Sequence, residues 1–200
     1  VQELGAAILL VDDAQAAITD LARVWRGRLQ GRIVGLTGSN GKTTTKNLVR
    51  DVLACAGSVT ATRGNQNNEL GVPNTLLAAD ADTLNVVVEM GMRGLGQIES
   101  LCSFVRPEWG IVTQVGESHI ELLGSRENIA RAKSELIAAL PEGGIAFLNG
   151  ADDMSDFVWD NARGAERGVS AVCFDGSGNY CEDAACGWRA GRAVWATHIS

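Results

Sequence analysis

The chain has 200 residues, the length of one domain or slightly more, and its hydrophobic fraction of 46% excludes a disordered chain. Lys and Arg total 17 and Asp and Glu total 24, and the resulting net charge of −7, with no basic cluster, excludes a footprint for nucleic acid or for an anionic membrane surface. No apolar run is long enough to cross a bilayer and no targeting segment is recognisable, so we expect a soluble cytoplasmic domain with no nucleic-acid and no membrane partner.

The first 30 residues are interpreted as a short apolar strand and then an amphipathic helix that begins near Asp12 or Asp13. From residue 31 onward, strand-like apolar runs alternate with helix-like stretches. The strand-like runs are Ile33–Thr37, Val86–Glu89, Trp109–Val115, Ile145–Leu148, Ala171–Phe174 and Arg192–Ile199. The helix-like stretches are Lys42–Ala56, Val72–Ala79, Gly96–Phe104, Ser125–Leu140 and Asp152–Arg163. This alternation predicts an α/β fold, a mostly parallel sheet with helices on both faces.

The cysteines sit at irregular spacings and include no C-x-x-C pair, so neither a redox motif nor a zinc knuckle is spelled out. We expect reduced, mostly buried thiols. Zinc is the less favoured alternative, because structural zinc ligands usually come in close pairs. Its candidate ligands are Cys173, Cys181, Cys186 and His198.

The segment Thr37–Thr45 (TGSNGKTTT) follows an apolar strand and opens an amphipathic helix. Its glycines let backbone N–H groups turn inward and the helix N-terminus adds positive potential, so the pattern predicts a polyphosphate site of the P-loop type. Lys42 would reach the terminal phosphates, and the hydroxyl of Thr43 or Thr44 would bind Mg²⁺. Because position 36 is Leu36, the spacing is a shorter G-x-x-G-K-T variant. The alternative is a glycine-rich helix start with a surface lysine.

Two further polar residues are expected at the same edge of the sheet. Glu89 closes an apolar strand, and His119 follows the strand Ile111–Val115 by a few residues. Ligands of open parallel sheets bind beyond the carboxyl ends of the strands, where a carboxylate is a natural ligand for Mg²⁺. The alternatives are an ordinary charged strand end for Glu89 and a solvated loop histidine for His119.

Lys133 lies inside an apolar stripe of the helix-like stretch Ser125–Leu140, four residues after Ile129 and four before Ile137. A lysine on a buried face costs several kcal/mol unless it is paired or loses its charge. One interpretation is that the side chain reaches solvent along the helix. The other is a depressed pKa, which makes a neutral amine available for covalent chemistry.

The segment 64–69 (GNQNNE) is rich in donors and acceptors and is either a plain turn or a loop that contacts a polar substrate. Together with the motifs above it resembles the Mur ligase family. The matching segments run in family order, and they are Thr37–Thr45, Gly64–Pro73, Val88–Ile98, Arg106–Pro107, Thr113–Ser125, Ala130–Glu135 and Asn149–Asp153. Gln97 and Gln114 depart from the family pattern, which has Glu and Asn there.

The resemblance implies a central ATP-binding domain over residues 31–200, incomplete at its C-terminal end, with residues 1–30 as a connector from a missing N-terminal domain and the C-terminal ligase domain absent. It implies that ATP is bound by Gly38, Ser39, Asn40, Gly41, Lys42, Thr43, Thr44 and, at the adenine, Asn149. It implies two Mg²⁺ sites, one on Thr43 and Glu89 and one on His119 and a carbamylated Lys133. The implied catalytic residues are Lys42, His119 and Lys133, and Asn67, Asn68 and Glu69 would lie toward the peptide substrate.

The implied activity is that of an ATP-dependent acid–D-amino-acid ligase of peptidoglycan precursor synthesis. The full-length enzyme would add D-alanyl-D-alanine to UDP-N-acetylmuramoyl-tripeptide through an acyl phosphate, while this chain alone is expected to be inactive in ligation. Two alternatives stay open: another Mur-type or folylpolyglutamate-type ligase, and a P-loop nucleotide-binding module without ligase activity. The presence of both Lys133 and His119 distinguishes a ligase from the second alternative, since a simple nucleotide switch needs no second metal site.

Overall fold

A computed structural model describes residues 8–174 of the chain. Its strands are β1 (Arg32–Thr37), β2 (Val59–Ala61), β3 (Asn85–Glu89), β4 (Trp109–Val112), β5 (Ile145–Asn149) and β6 (Ser170–Phe174). They form one sheet in the order β2-β3-β1-β4-β5-β6, and every pair of neighbours is parallel. The predicted parallel α/β fold is confirmed.

The helices of the described range are α1 (Ala14–Arg26), α2 (Lys42–Ala54), α3 (Gly71–Leu77), α4 (Gln97–Val105), α5 (Ile120–Leu123), α6 (Arg126–Ala138) and α7 (Ser155–Ala162), with a 3₁₀ turn at Ala165–Arg167. Local chemistry sets two of their starts. The Asp13 carboxylate accepts hydrogen bonds from the N–H groups of Gln15 and Ala16, and the Ser125 hydroxyl accepts one from Asn128. Among the residues described, no helix is long and apolar enough to span a membrane.

The two faces of the sheet are covered unequally. The larger apolar cluster lies between one face and α1, α3, α4, α6 and α7, whose buried residues include Ile137 and Val158. The smaller cluster on the other face is built on strand residues such as Leu36 and Val87 and is covered by α2 through Val49 and Leu53. Helices therefore pack on both faces, as predicted, and α2 carries the phosphate motif across the less covered one.

The predicted strands and helices within the described range are confirmed with small shifts at their ends. Residues 8–11, the described end of the apolar stretch expected as a strand, form no strand and are exposed, and the rest of that stretch lies outside the described residues. β2 and α5 were not predicted, since three and four residues are too few for a hydrophobic period. The predicted strand Arg192–Ile199 and the cysteines beyond Cys173 lie outside the described residues.

Helix α1 packs against α3 and α4, and Arg26 in its last turn holds it there. The guanidinium of Arg26 donates to the carbonyl of Val105 at 2.8 Å and to the Glu108 carboxylate at 2.6 Å. Glu108 in turn accepts a hydrogen bond from the backbone N–H of Ile33 in β1 at 2.5 Å. This chain of contacts ties α1 to the centre of the sheet, while the role of residues 1–30 as a connector stays a prediction.

Replacing Arg26 by Met should lower the free energy of unfolding by about 1–3 kcal/mol, because the carbonyls of Val105 and Arg106 and the partly exposed carboxylate of Glu108 lose a charged donor. Arg23→Met on the same helix is the matched control. The Arg23 side chain is exposed and lies 4.0 Å from Asp20, so its loss should cost at most about 0.5 kcal/mol. Urea unfolding of both variants measures the difference, and equal midpoints would contradict a stabilising role for the Arg26 contacts.

Candidate functional site

A cleft of about 710 Å³ opens at the carboxyl edge of the sheet. Its walls come from the loop between β1 and α2, the polar loop 64–69, the segment before and within α4, the segment before α5, and α6. The predicted site residues that line it are Gly38, Ser39, Lys42, Asn67, Asn68, Glu69, His119 and Lys133. Parallel strands thus place these distant segments at one edge, as expected for this kind of sheet.

The glycine loop after β1 has a conformation that favours glycine at two positions. Gly38 has φ 153°, and a Cβ there would lie 1.9 Å from the hydroxyl oxygen of Thr113; Gly41 has φ 79°. The loop is held from β4, since the Thr113 hydroxyl donates to the carbonyl of Asn40 at 2.6 Å and the N–H of Ser39 donates to the carbonyl of Gln114 at 2.8 Å. No side chain caps the N-terminus of α2, so its first N–H groups are available to an anion.

Lys42, the first residue of α2, is half-buried beside this loop. Its ammonium donates to the carbonyls of Gly38 at 2.8 Å and Ser39 at 3.3 Å, so the side chain lies along the glycine loop. Burial lowers the pKa of Lys42, and the nearby Glu89 carboxylate partly opposes that shift. An anion placed on the loop would therefore meet both uncapped N–H groups and a cation.

Glu89 lies at the end of β3 with 1% of its surface exposed. One carboxylate oxygen accepts from the Thr43 hydroxyl at 3.1 Å and lies 3.3 Å from the ammonium of Lys46. The other accepts from the side-chain amide of Asn67 at 2.8 Å. The prediction that Glu89 stands beside the glycine loop is confirmed, and the exposed Thr43 hydroxyl with this carboxylate is an all-oxygen pair of the kind that Mg²⁺ prefers.

Lys133 is buried in α6, with 2% of its surface exposed, so the interpretation that it reaches solvent along the helix is wrong. Burial, and after it the charge of Lys42, lowers the pKa of Lys133 to about 7. No hydrogen bond or ion pair to its amine forms within residues 8–174, which makes it a buried cation without a counter-charge.

His119 lines the same cleft at the start of α5, with a left-handed backbone at φ 68°. Its imidazole and the unmodified amine of Lys133 do not make a metal site by themselves, because a protonated amine is no ligand. Across the described part of the chain, no group of three or more His, Cys, Asp or Glu side chains could hold a metal ion. The second implied Mg²⁺ site thus fits these residues only if Lys133 gains a carboxylate.

Several implied site residues make contacts that the sequence does not reveal. Asn68 accepts from the N–H of Gly71 at 3.0 Å, and so holds the start of α3. The Asn149 amide donates to the carbonyl of Thr113 at 3.0 Å. Asn149 lies at the end of β5, and its side chain does not line the cleft. Outside the lining are also Asn40 and Gly41 of the glycine loop, Thr43 and Thr44 of α2, and Glu89 at the end of β3.

Lys46 is the site residue that sequence reasoning missed. It lies one turn after Lys42 on α2, is 2% exposed, and donates to the carbonyl of Gly64 at 2.5 Å. The segment 42–46 is polar throughout, so hydrophobic contrast could not show which of its side chains points inward. The available signal was the spacing of four residues, which places Lys42 and Lys46 on one helix face.

The stability of the chain should depend on pH through Lys133. Its pKa is about 7 in the folded chain and 10.5 when unfolded, so between these values only the unfolded chain binds the proton and stability rises with pH. In CO₂-free buffer, Lys133→Met should exceed the unsubstituted chain in stability by about 3–5 kcal/mol near pH 6.5, with the gap closing toward pH 10.

Arg131→Met, an exposed position on the same helix, is the control, because arginine stays charged over this range. Urea unfolding at several pH values gives both differences. A gap for Lys133→Met that does not change with pH would refute the lowered pKa.

Comparison with known proteins places this geometry in a family. Residues 36–184 match the family described as Mur ligase middle domain. The chain is 43% identical over 148 residues to the UDP-N-acetylmuramoyl-tripeptide–D-alanyl-D-alanine ligase of Bacillus subtilis, covering 74% of this chain and 32% of that protein. It is 49% identical over 140 residues to the ligase of the same name from Synechocystis, covering 70% and 31%.

Solved structures agree. MurF from Acinetobacter baumannii superposes with a TM-score of 0.77 at 30% identity, over 87% of this chain and 38% of that one. MurF from Thermotoga maritima in complex with ADP gives 0.73 at 32% identity, over 88% and 40%. The chain spans about a third of the length of the curated relatives it matches. By fold, site and sequence, the chain belongs to the Mur ligase family and corresponds to its middle domain.

Proposed function

We propose that this chain forms the ATP- and Mg²⁺-binding part of a ligase of peptidoglycan precursor synthesis, one that joins D-alanyl-D-alanine to UDP-N-acetylmuramoyl-tripeptide. The observation that carries the proposal is Lys133, a buried amine without a partner in the described residues, in the same cleft as Lys42 and the glycine loop. A nucleotide-binding loop alone gives no reason for a second buried lysine to face it. A ligase that must hold both a nucleotide and a reacting carboxylate does.

Binding of ATP is supported by the loop geometry. The uncapped N–H groups of α2 and the ammonium of Lys42 would receive the terminal phosphates. Thr43 and Glu89 would hold one Mg²⁺, and bound Mg²⁺ would supply charge neutralisation at the phosphates. The solved relative from Thermotoga maritima carries ADP. Asn149, at the end of the neighbouring β5, is proposed to lie near the adenine.

Carbamylation of Lys133 is proposed because it removes the electrostatic conflict in the cleft. With a pKa of about 7, a substantial fraction of the amine is neutral at neutral pH. The lone pair of the neutral amine attacks the carbon of CO₂, a C–N bond forms as one C=O π bond breaks, and one proton leaves to solvent. The ammonium form first releases a proton of its own, so the whole change replaces a positive charge near Lys42 by a carboxylate. The repulsion between the two side chains turns into attraction. With His119, the new carboxylate would complete a second Mg²⁺ site.

The reaction follows from what these residues can stabilise. A free carboxylate is a poor electrophile, so the terminal carboxylate of the peptide substrate first takes the γ-phosphoryl group of ATP, with ADP leaving. The amine of D-alanyl-D-alanine then attacks the acyl phosphate and phosphate departs. Lys42 would stabilise charge on the transferring phosphoryl group. Asn67, Asn68 and Glu69, which also line the cleft, are proposed to lie toward the UDP-muramoyl peptide.

Two other functions compete with this proposal. A folylpolyglutamate-type or other Mur-type ligase would share the nucleotide site, but the similar relatives described above carry the name of the D-alanyl-D-alanine ligase. Amine-dependent release of ADP by the complete enzyme, compared between D-alanyl-D-alanine and other acceptors, separates them. A nucleotide-binding module without ligase activity would leave Lys133 unmodified, which the second prediction below tests.

Mg-ATP should bind this chain through Lys42. Lys42→Met is expected to weaken binding by about 1.5–3 kcal/mol, roughly 10- to 150-fold, because a charge-assisted contact to phosphate is lost. Arg50→Met, two turns further along α2 on an exposed side chain, should bind as the unsubstituted chain does. Isothermal titration calorimetry measures all three, and equal affinities for Lys42→Met and the unsubstituted chain would rule out the proposed phosphate contact.

Carbamylation should be visible by ¹³C nuclear magnetic resonance in ¹³C-bicarbonate. The unsubstituted chain should give a Lys133 carbamate signal that disappears on acidification and is absent from Lys133→Met, in which any carbamate signal that remains belongs to the α-amino terminus. Lys42→Arg is the matched control: it removes another amine of the cleft but keeps its positive charge, so the signal should persist. A spectrum of the unsubstituted chain without a carbamate signal at neutral pH would favour the module without ligase activity.

A further inference from the structure

Lys46 is the buried cation of the site that no step of the proposed reaction uses. Its ammonium lies 3.3 Å from the Glu89 carboxylate and donates to the carbonyl of Gly64 at 2.5 Å. Both side chains of this ion pair are almost fully buried, at 2% and 1% exposed. A pair this deep is sensitive to the loss of either partner, because the other charge is then left without compensation.

The contacts of Lys46 join three separate segments. Lys46 belongs to α2, Glu89 ends β3, and Gly64 begins the polar loop 64–69. The same loop contacts Glu89 directly, through the side-chain amide of Asn67 at 2.8 Å. The loop is therefore attached at two points to the carboxylate and the helix that flank the glycine loop.

The other nearby ammonium cannot replace Lys46 in this arrangement. Lys42 directs its hydrogen bonds to the carbonyls of Gly38 and Ser39, on the cleft side of the helix start. A residue without a donor at position 46 would leave the Gly64 carbonyl without this donor and one oxygen of the buried Glu89 carboxylate short of a partner. The Thr43 hydroxyl also donates to that Glu89 oxygen and Asn67 donates to the other, so the orientation of the carboxylate depends on Lys46 together with Thr43 and Asn67.

We propose that Lys46 is a positioning residue: it holds the Glu89 carboxylate beside Thr43 and ties the polar loop 64–69 to the phosphate-binding helix. The proposal rests on the proposed function, in which Thr43 and Glu89 hold Mg²⁺ and the loop faces the peptide substrate. Lys46 thus connects the polar loop 64–69, which is proposed to face the peptide, to helix α2, which is proposed to bind the nucleotide. Lys46 touches neither substrate and acts through Glu89 and Gly64.

The first test compares the dissociation constants of ATP in EDTA and in Mg²⁺ by calorimetry. Lys46→Met should lower the ratio of the dissociation constant in EDTA to that in Mg²⁺ by about fivefold or more relative to the unsubstituted chain. The reason is that the metal-binding carboxylate loses its orientation while the glycine loop and Lys42 remain. A purely structural defect would weaken ATP binding by the same factor in EDTA and in Mg²⁺ and leave the ratio unchanged. Lys46→Arg should recover part of the ratio, and Arg50→Met on the same helix should match the unsubstituted chain.

The second test needs no nucleotide. Amide hydrogen exchange of segment 64–71 should be about tenfold or more faster in Lys46→Met, while exchange in α6 (Arg126–Ala138) stays as it is in the unsubstituted chain. If Lys46→Met does not fold, the same exchange is compared between Glu89→Gln and Lys46→Met/Glu89→Gln, in which no buried carboxylate is left without a cation. Faster exchange in the double variant than in Glu89→Gln supports the proposal that Lys46 ties the loop to α2.

The outcomes separate the two proposals. A chain that binds no Mg-ATP overturns the proposed function, and with it the role of Lys46 in orienting Glu89. A chain that binds Mg-ATP, but whose Lys46→Met variant keeps the ratio of constants or keeps the exchange of segment 64–71, overturns only the role of Lys46.

Discussion

The carboxylate of Glu89 is the group around which the rest of the site is arranged. Its burial at the end of β3 is tolerable only with donors and a cation around it, and these come from two other segments. Thr43 and Lys46 come from α2, and Asn67 from the polar loop. Satisfying one charge thus brings together the phosphate-binding helix, strand β3 and the loop, and it explains why residues far apart in sequence meet at one edge.

The cost of burying an unpaired charge also explains the behaviour of Lys133 in the cleft. Lys133 is as deeply buried as Lys46, yet it lacks the carboxylate that Lys46 has, and its pKa falls to about 7. Two buried lysines of one chain therefore meet the cost of burial in different ways: one is paired, and the other can lose its proton. The paired lysine suits a fixed structural contact, while the unpaired one suits chemistry on its nitrogen.

Much of this arrangement could be predicted because it follows from hydrophobic contrast. Continuous apolar strands and the stripe around Lys133 stand out against polar neighbours, so the parallel sheet and the burial of that lysine were accessible from the sequence. Lys46 was not, since its neighbours are all polar and only the tertiary contact to Glu89 turns it inward. Residues 8–11 show the converse: an apolar run predicts a strand, but a strand needs a partner in the sheet, which hydrophobicity does not report.

The composition gives the site a further property. Lys42, Lys46 and Lys133 are the only lysines among the 200 residues, and the other strongly basic side chains are all arginine. An electrophile that acylates amines therefore has few targets on this chain: its N-terminus and the three lysines around the cleft. Of these, Lys46 is engaged by Glu89 and Lys42 by the glycine loop, whereas Lys133 offers a free lone pair near neutral pH. A lysine-directed covalent ligand shaped to the cleft would thus be selective for Lys133, because the chain offers few other reactive amines.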